Sequence, residues 1–320
     1  MNSPLATIPL GRTDLAVTRL GLGTAPIGNL YAPVTDEQAV AVVHAALESG
    51  VRFFDTAPLY GDGASERRLG LALRGVPRAG VVISTKVGRS GIPNQWSRYD
   101  FSRDAVLRSF EASLTRLGTD YVDILHIHDP DDHERQALEE AFPTLAELRA
   151  QGAIRAIGAG MNQWQMLARF ARAADFDCFL LAGRYTLLEQ GALEFLALCR
   201  ERGIGVLLGG VFNSGILATG PRAGAKYNYA DAPPDVLERA GTIAAACERH
   251  GAPLATAAVQ FVLAHPAVTT AVIGAVSPEE VRANVRAASA PVPAALWDEL
   301  RAAGLIPPDA PTPASGTLSR

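Results

Sequence analysis

The chain predicts an α/β fold in which one parallel sheet closes on itself, and three observations carry that prediction. Apolar runs at 51–56 (VRFFDT), 81–87 (VVISTKV) and 122–128 (VDILHIH) are bounded by turn residues and separated by helical patterns, as buried parallel strands are. The same alternation of strand and helix continues to eight strands along the 320 residues. No GxGxxG follows any early strand, which counts against the alternative, a doubly wound open sheet. The expectation is a TIM (β/α)8 barrel with an N-terminal β-hairpin and extra C-terminal helices, organised as one domain over residues 1–320.

Taken in order, the first residues, ATIPLGRTDLAVTRLGLGT, hold two short extended segments about Gly11-Arg12-Thr13-Asp14, a small hairpin over one barrel end. The first strand follows at about 19–24. Thr35 and Gln38 form a capping-box pattern at the head of a helix that Gly50 stops. In the second strand, 51–56, alternation puts Asp55 on one face with Phe53 and Val51. Ser65 begins the next helix. The third strand, 81–87, puts Lys86, Ser84 and Val82 on one face, and a long loop containing Trp96 leads to a helix from Ser102 to Leu117-Gly118. The fourth strand, 122–128, carries His126 and His128 together and ends at Asp129-Pro130, since proline cannot continue a central strand. A helix through Ala150, a strand in AIRAIGAG, a helix from about Gln163, a strand near 176–182, a helix over 192–202 and a strand at 205–208 follow. The stretch 209–234 is long, glycine-rich and aromatic, more in keeping with function than with a simple connection. Two helical stretches precede the last strand, 270–274, and Ser277-Pro278-Glu279-Glu280 opens the final barrel helix with proline at its favoured first position. A terminal helix near 294–303 and a disordered tail from about 308 complete the chain.

A hydrophobic content of 48% supports a large core, and no Ser/Gly tract or charge block marks a linker. The net charge of −4 provides no basic field for nucleic acid or anionic lipid. Cys178, Cys199 and Cys247 are odd in number and widely spaced, which suggests neither a disulfide framework nor a zinc motif and fits a reduced, cytoplasmic setting. The first residues do not read as a signal peptide, and no run reaches the roughly 18 apolar residues of a membrane span. A small-molecule substrate and a monomer or homodimer are expected.

Three successive strands each end near one ionisable residue, Asp55, Lys86 and His128, with Tyr60 five residues beyond Asp55. In a closed barrel these ends share the face that carries the active site. The Lys86 cation would lower the pKa of the Tyr60 phenol, Asp55 would orient the lysine, and a neutral His128 would donate to a substrate oxygen. Such a site exchanges a proton with an oxygen while a hydride moves elsewhere. Each residue alone could be a cap, a structural ion pair or a packing ring; their arrival on consecutive strands favours catalysis. His126, His128 and His133 with Asp129, Asp131 and Asp132 resemble a metal site, but the remaining histidines fall on predicted helices or their ends and the carboxylates on an exposed loop, so no metal is expected.

The segments LGLGTAPIG, FFDTAPLYG, STKVG and LGTDYVDILHIHDP resemble the aldo-keto reductase superfamily over nearly the whole chain. GTAPIGNLY, DPDDHERQAL, GMNQWQM, AGRYTLLEQ and GGVFNSGIL further resemble the bacterial D-threo-aldose 1-dehydrogenase (L-fucose dehydrogenase) branch, which includes pyridoxal 4-dehydrogenases. The resemblance implies a barrel that uses a nicotinamide cofactor without a Rossmann fold, with Tyr60 as proton donor and acceptor and Asp55, Lys86 and His128 as its partners. It implies that Asn162 binds the carboxamide, with Gly160 and Met161 altering the usual pair before it; a helix N-cap is the other reading of Asn162. Ala182 and Gly209 stand where many members carry a glutamine and a stacking tyrosine. Phe212, Asn213 and Ser214, after Gly210, fall in the segment that wraps the pyrophosphate, where backbone amides can cradle anions. Thr24, Asp55, Gly274, Ser277 and Asn284 complete the implied cofactor track. Glu280 falls where the family places a phosphate-binding arginine; a carboxylate there favours NAD, while nearby Arg282 keeps NADP open. Tyr31 and Trp96 are candidate pocket walls or packing aromatics. The implied reaction is oxidation of a sugar hemiacetal to an aldonolactone, with pyridoxal oxidation, NADPH-dependent carbonyl reduction and a redox-sensing binding subunit as alternatives.

Overall fold

The computed structural model describes residues 5–30, 32–92 and 95–313, without the side chains of 92 and 95–97. Eight parallel strands close into a barrel: β1 (Leu20–Gly23), β2 (Phe53–Asp55), β3 (Val82–Val87), β4 (Ile124–His128), β5 (Ala156–Met161), β6 (Cys178–Ala182), β7 (Gly205–Gly209) and β8 (Val268–Gly274). Neighbours in sequence are neighbours in the barrel, and β8 closes it by pairing Ala271 with Leu20 through Gly274 with Gly23. The helices are α1 (Asp36–Glu48), α2 (Ala64–Ala72), α3 (Arg103–Leu117), α4 (Phe142–Ala150), α5 (Trp164–Ala173), α6 (Leu193–Arg202), α7 (Pro234–Arg249), α8 (Leu254–Ala264), α9 (Pro278–Ser289) and α10 (Ala294–Ala302).

Alternation along the strands divides the apolar residues into two cores. Phe53, Ile124, Leu207 and Val272 form an inner cluster with Leu10, Leu15 and Val17 of the N-terminal hairpin, Thr7–Pro9 paired with Ala16–Thr18. Their neighbours Phe54, Leu125, Leu208 and Ile273 belong to the outer cluster between sheet and helices. Glycines give the inner layer its room: a Cβ at Gly21 would lie 2.5 Å from the Phe53 ring, and one at Gly158 would lie 2.2 Å from Nδ1 of His126. Helix starts follow the sequence signals. Thr35 and Gln38 form a complete capping box, Ser102 accepts from the Ala105 N–H, and Ser277 accepts from the Glu280 N–H with Pro278 behind it.

Four expectations change. The long loop after β3 contains a β-hairpin, Arg89–Ile92 against Gln95–Tyr99, whose sequences RSGI and QWSRY lack the continuous apolar run of a buried strand. The helix before β5 contains a π-turn at Ala137–Ala141, two residues before Pro143, which has no N–H to give to that turn. Part of the expected disordered tail is held: Ala310 is buried, and Arg301 donates to its carbonyl and, at 2.6 Å, to the Thr312 hydroxyl. Residues 314–320 lie outside the described residues. Asn162 is not the N-cap of α5; Gln163 occupies that position, and its side chain forms no cap bond.

Candidate active site

Asp55 ends β2, Lys86 stands one residue from the end of β3, and His128 ends β4. Lys86 Nζ donates to both Asp55 carboxylate oxygens, at 2.8 and 3.0 Å, and to the Thr56 carbonyl at 2.8 Å. Ser84, paired with Asp55 across the β2–β3 ladder, donates to the same carboxylate at 2.6 Å. Tyr60 lies in the turn before α2, against the backbone of the β1 loop: a Cβ at Gly28 would come within 2.9 Å of its carbonyl. The Lys86 ammonium sits 4.8 Å from the Tyr60 ring centroid, and the His128 ring meets that ring edge-on at 6.1 Å. The four side chains assigned to chemistry thus meet.

Burial sets their protonation. It pushes the Tyr60 phenol up to about 12, and the lowering by Lys86 only partly offsets it. This corrects the expectation of a net depressed phenol, because the Asp55 charge and the surrounding apolar walls act against the lysine. Burial works against the Lys86 cation, but the Asp55 carboxylate and the Tyr60 oxygen together outweigh it and hold the ammonium charged above the ordinary lysine range. His128 is held well below its usual range by burial and then by Lys86 and Arg89, so it is a neutral imidazole at pH 7. Its Nε2 lies 3.6 Å from Asp129, which also takes a hydrogen bond from Arg89. Its Nδ1 has no partner among the described residues.

The mouth of the barrel beside Tyr60 opens into a cleft of about 440 Å3. Asp55, Tyr60, Gly210, Phe212, Ser214, Gly274 and Glu280 all line it, as do Ala182 and Gly209. The remaining assigned residues stand behind this wall. Thr24 is fully buried, donating to the Asp55 carbonyl and bonded to Ser65. Asn162 donates to the Ala182 carbonyl at 3.3 Å, Asn284 to the Gly274 carbonyl at 3.3 Å, and Ser277 caps α9. Asn213 is buried, and its Oδ1 has no partner among the described residues. Tyr31 and the side chain of Trp96 lie outside the described residues.

The sequence reading missed Ser84 as a support for Asp55, Arg89 as a neighbour of His128, and Tyr229, which lines the cleft from the long loop after β7. A polar residue on the Lys86 face of β3 was the only signal for Ser84, and the step out of the third strand the only one for Arg89. Tyr229 is 65% exposed and adopts φ 66°, and no periodicity announces such a residue. The histidine cluster separates: His126 points inward against Gly158, while His133 stacks on Tyr99 at 5.4 Å. Among the described residues, no three of His, Cys, Asp and Glu are placed to hold a metal ion.

A parallel barrel that gathers a tyrosine, a lysine, a carboxylate and a neutral imidazole beside an apolar cleft defines an oxidoreductase acting on a small molecule. The Aldo/keto reductase family matches residues 19–304, and the chain belongs to that family. It is 44% identical to pyridoxal 4-dehydrogenase of Microbacterium luteolum, over 93% of this chain and 97% of that one. It is 41% identical to D-threo-aldose 1-dehydrogenase of a Pseudomonas species, over 92% and 96%. Among solved structures, the holo form of aldo-keto reductase AKR11C1 from Bacillus halodurans superposes with a TM-score of 0.79 at 26% identity, covering 98% of each chain.

Enzymes of this family use a nicotinamide cofactor, and the cleft has features that suit one. Gly23, Gly209, Gly210 and Gly274 leave its floor without bulky side chains, so a flat ring can approach the backbone. Asn213, Ser214 and Gly215 take successive positive φ values of 46°, 59° and 101°, a tight turn in which the Asn213 and Gly215 N–H groups donate to the Gly210 and Phe212 carbonyls. The unpartnered Asn213 oxygen is a ready acceptor. No helix among the described residues is long and apolar enough to cross a membrane.

Proposed function

We propose that this enzyme oxidises an aldose of the L-fucose or D-threo type at its anomeric carbon to the aldonolactone, with NAD as the preferred cofactor. The observation that carries the reading is the buried Lys86–Asp55 pair beside Tyr60, with Asp55 and Tyr60 lining the same cleft as the glycine-rich β7 loop and Glu280. The bound nicotinamide supplies an acceptor for the hydride that leaves C1. Tyr60 takes the proton of the anomeric hydroxyl as the C1 carbonyl forms, and Lys86 stabilises the charge on the phenol oxygen as that proton moves. Asp55, fixed by Ser84, holds Lys86. His128, kept neutral, donates to the substrate oxygen and orients it. The segment of Gly210, Phe212, Asn213 and Ser214 would hold the pyrophosphate, and Asn162 would contribute at the carboxamide end.

Glu280 supports NAD. Its carboxylate accepts from the Val276 N–H at 2.8 Å and is thereby fixed at the start of α9, on the cleft wall, where it can accept from a ribose hydroxyl and repels a 2′-phosphate. Arg282 is drawn toward Glu279, 3.6 Å away, rather than left free for a phosphate. The substrate rests on the similarity to D-threo-aldose 1-dehydrogenase. The similarity to pyridoxal 4-dehydrogenase supports a second reading, the same proton and hydride transfers on pyridoxal. The test follows reduced-cofactor absorbance with L-fucose or pyridoxal, each with NAD or NADP. Turnover of L-fucose that is faster with NAD is the expected result. Turnover of pyridoxal alone would replace the sugar, and a faster rate with NADP would overturn the role given to Glu280.

A further inference from the structure

On the far side of the Tyr60 turn, a second cavity of about 250 Å3 lies between the loop after β2, the hairpin after β3 and the outer side of α3. It shares no residue with the cofactor cleft. Four arginines line it, Arg89, Arg98, Arg108 and Arg116, against two carboxylates, Asp62 and Asp100. Three of the four have ion-pair partners: Arg89 with Asp129, Arg98 with Asp100 at 3.5 Å, and Arg116 with the fully buried Glu66 at 2.6 Å. Arg108 has neither a hydrogen bond nor an ion pair among the described residues; its charge acts on Asp100 through space. The Nε of Arg89 is also buried without a partner.

The local sequence shapes this space. Positions 105, 108, 109, 112 and 116 form one stripe of α3, and its small residues, Ala105 before Arg108 and Ala112 between Arg108 and Arg116, leave a hollow below the guanidiniums. Gly63 lets Arg116 lie close, since a Cβ there would come 2.6 Å from its Cδ. Ser90 and Ser109 add hydroxyl donors from two sides. Guanidiniums arriving from a hairpin and a helix, with hydroxyls between them and Arg108 left unpaired among the described residues, match a tetrahedral oxyanion.

We propose that this cavity binds a phosphate group, as inorganic phosphate or the phosphate of a monoester, at a site separate from the catalytic cleft. Arg108 is its free cation, and Arg98 and Ser109 complete the contacts. The test is isothermal titration of phosphate into the full chain at constant ionic strength, with the cofactor cleft saturated with NAD or NADP so that it cannot take the ligand. Saturable one-site binding is expected, weakened roughly tenfold or more in Arg108→Ala, the scale of a lost charged hydrogen bond. Ala112→Glu, which fills the hollow and sets a carboxylate in it, abolishes it. Methyl phosphate in the same titration separates the two sources: binding like phosphate marks a monoester site, and binding of phosphate alone marks a site for the free ion. Absence of saturable binding, or wild-type affinity in Arg108→Ala, overturns the proposal.

Discussion

The residue that decides the chemistry is Tyr60, and its environment sets opposing influences on one phenol. Burial and Asp55 favour the protonated form and Lys86 the phenolate, with burial prevailing. Two consequences can be measured. Tyr60→Phe keeps the ring and loses the proton acceptor, so kcat should fall by about 10^3-fold or more while cofactor binding, followed by fluorescence quenching, stays near wild type. Wild-type-like turnover in that variant would remove Tyr60 from the mechanism. In the oxidative direction the reactive form is the phenolate, so log kcat/KM should climb with pH through neutrality into the alkaline range. A plateau already reached below pH 8 would contradict a phenol pushed up to about 12.

At the scale of elements, α2 and α3 approach so closely that the usual effect of one substitution reverses. Gly70 lies inside α2, where alanine ordinarily stabilises a helix by roughly 0.5–1 kcal/mol. A Cβ at that position would stand 2.6 Å from the Leu117 carbonyl oxygen and 2.7 Å from that of Arg116. Neither atom is the end of a flexible side chain, so the helices must separate, an overpacking cost of about 1–3 kcal/mol. Gly70→Ala should therefore lower the thermal midpoint. A raised midpoint would mean that helix propensity, not packing, governs the site.

For the whole molecule, the interior of the barrel couples stability to pH. His126 and His128 are both held neutral by burial and by the Lys86 charge, and burial pulls His265 down to about 4. Each has a folded pKa below its unfolded value of about 6.5. The unfolded chain therefore binds more protons below that pH, so stability is complete above about 6.5 and falls on acidification, by up to about 1.4 kcal/mol per pH unit for each histidine. Neither ring nitrogen of His126 has a partner among the described residues, so this imidazole adds an unsatisfied polar group as well. His126→Leu should stabilise the protein, and by more at pH 5 than at pH 8 in thermal unfolding. An equal shift at both pH values would show that His126 does not titrate on unfolding.

The strand periodicity, the capping residues and the positions of Asp55, Lys86 and His128 at strand ends were legible in the sequence because each depends on neighbours a few residues away. A buried parallel strand needs a continuous apolar run, a Ser or Thr cap such as Thr35, Ser102 or Ser277 marks a helix start, and a parallel barrel puts the C-terminal ends of its strands on one face. Tyr60 was legible for the same reason, being tied to Asp55 by a short turn. What depends on distant segments was not: the net protonation of Tyr60, the support of Asp55 by Ser84, the place of Tyr229 on the cleft wall and the hairpin after β3. The arginine-lined cavity belongs with these, since Arg89 and Arg108 are unremarkable in sequence and meet only when the hairpin folds beside α3. Local pattern determined the elements and the order of the catalytic groups along them. Desolvation and close approach, which exist only once the barrel closes, decided how those groups are charged and what else they face.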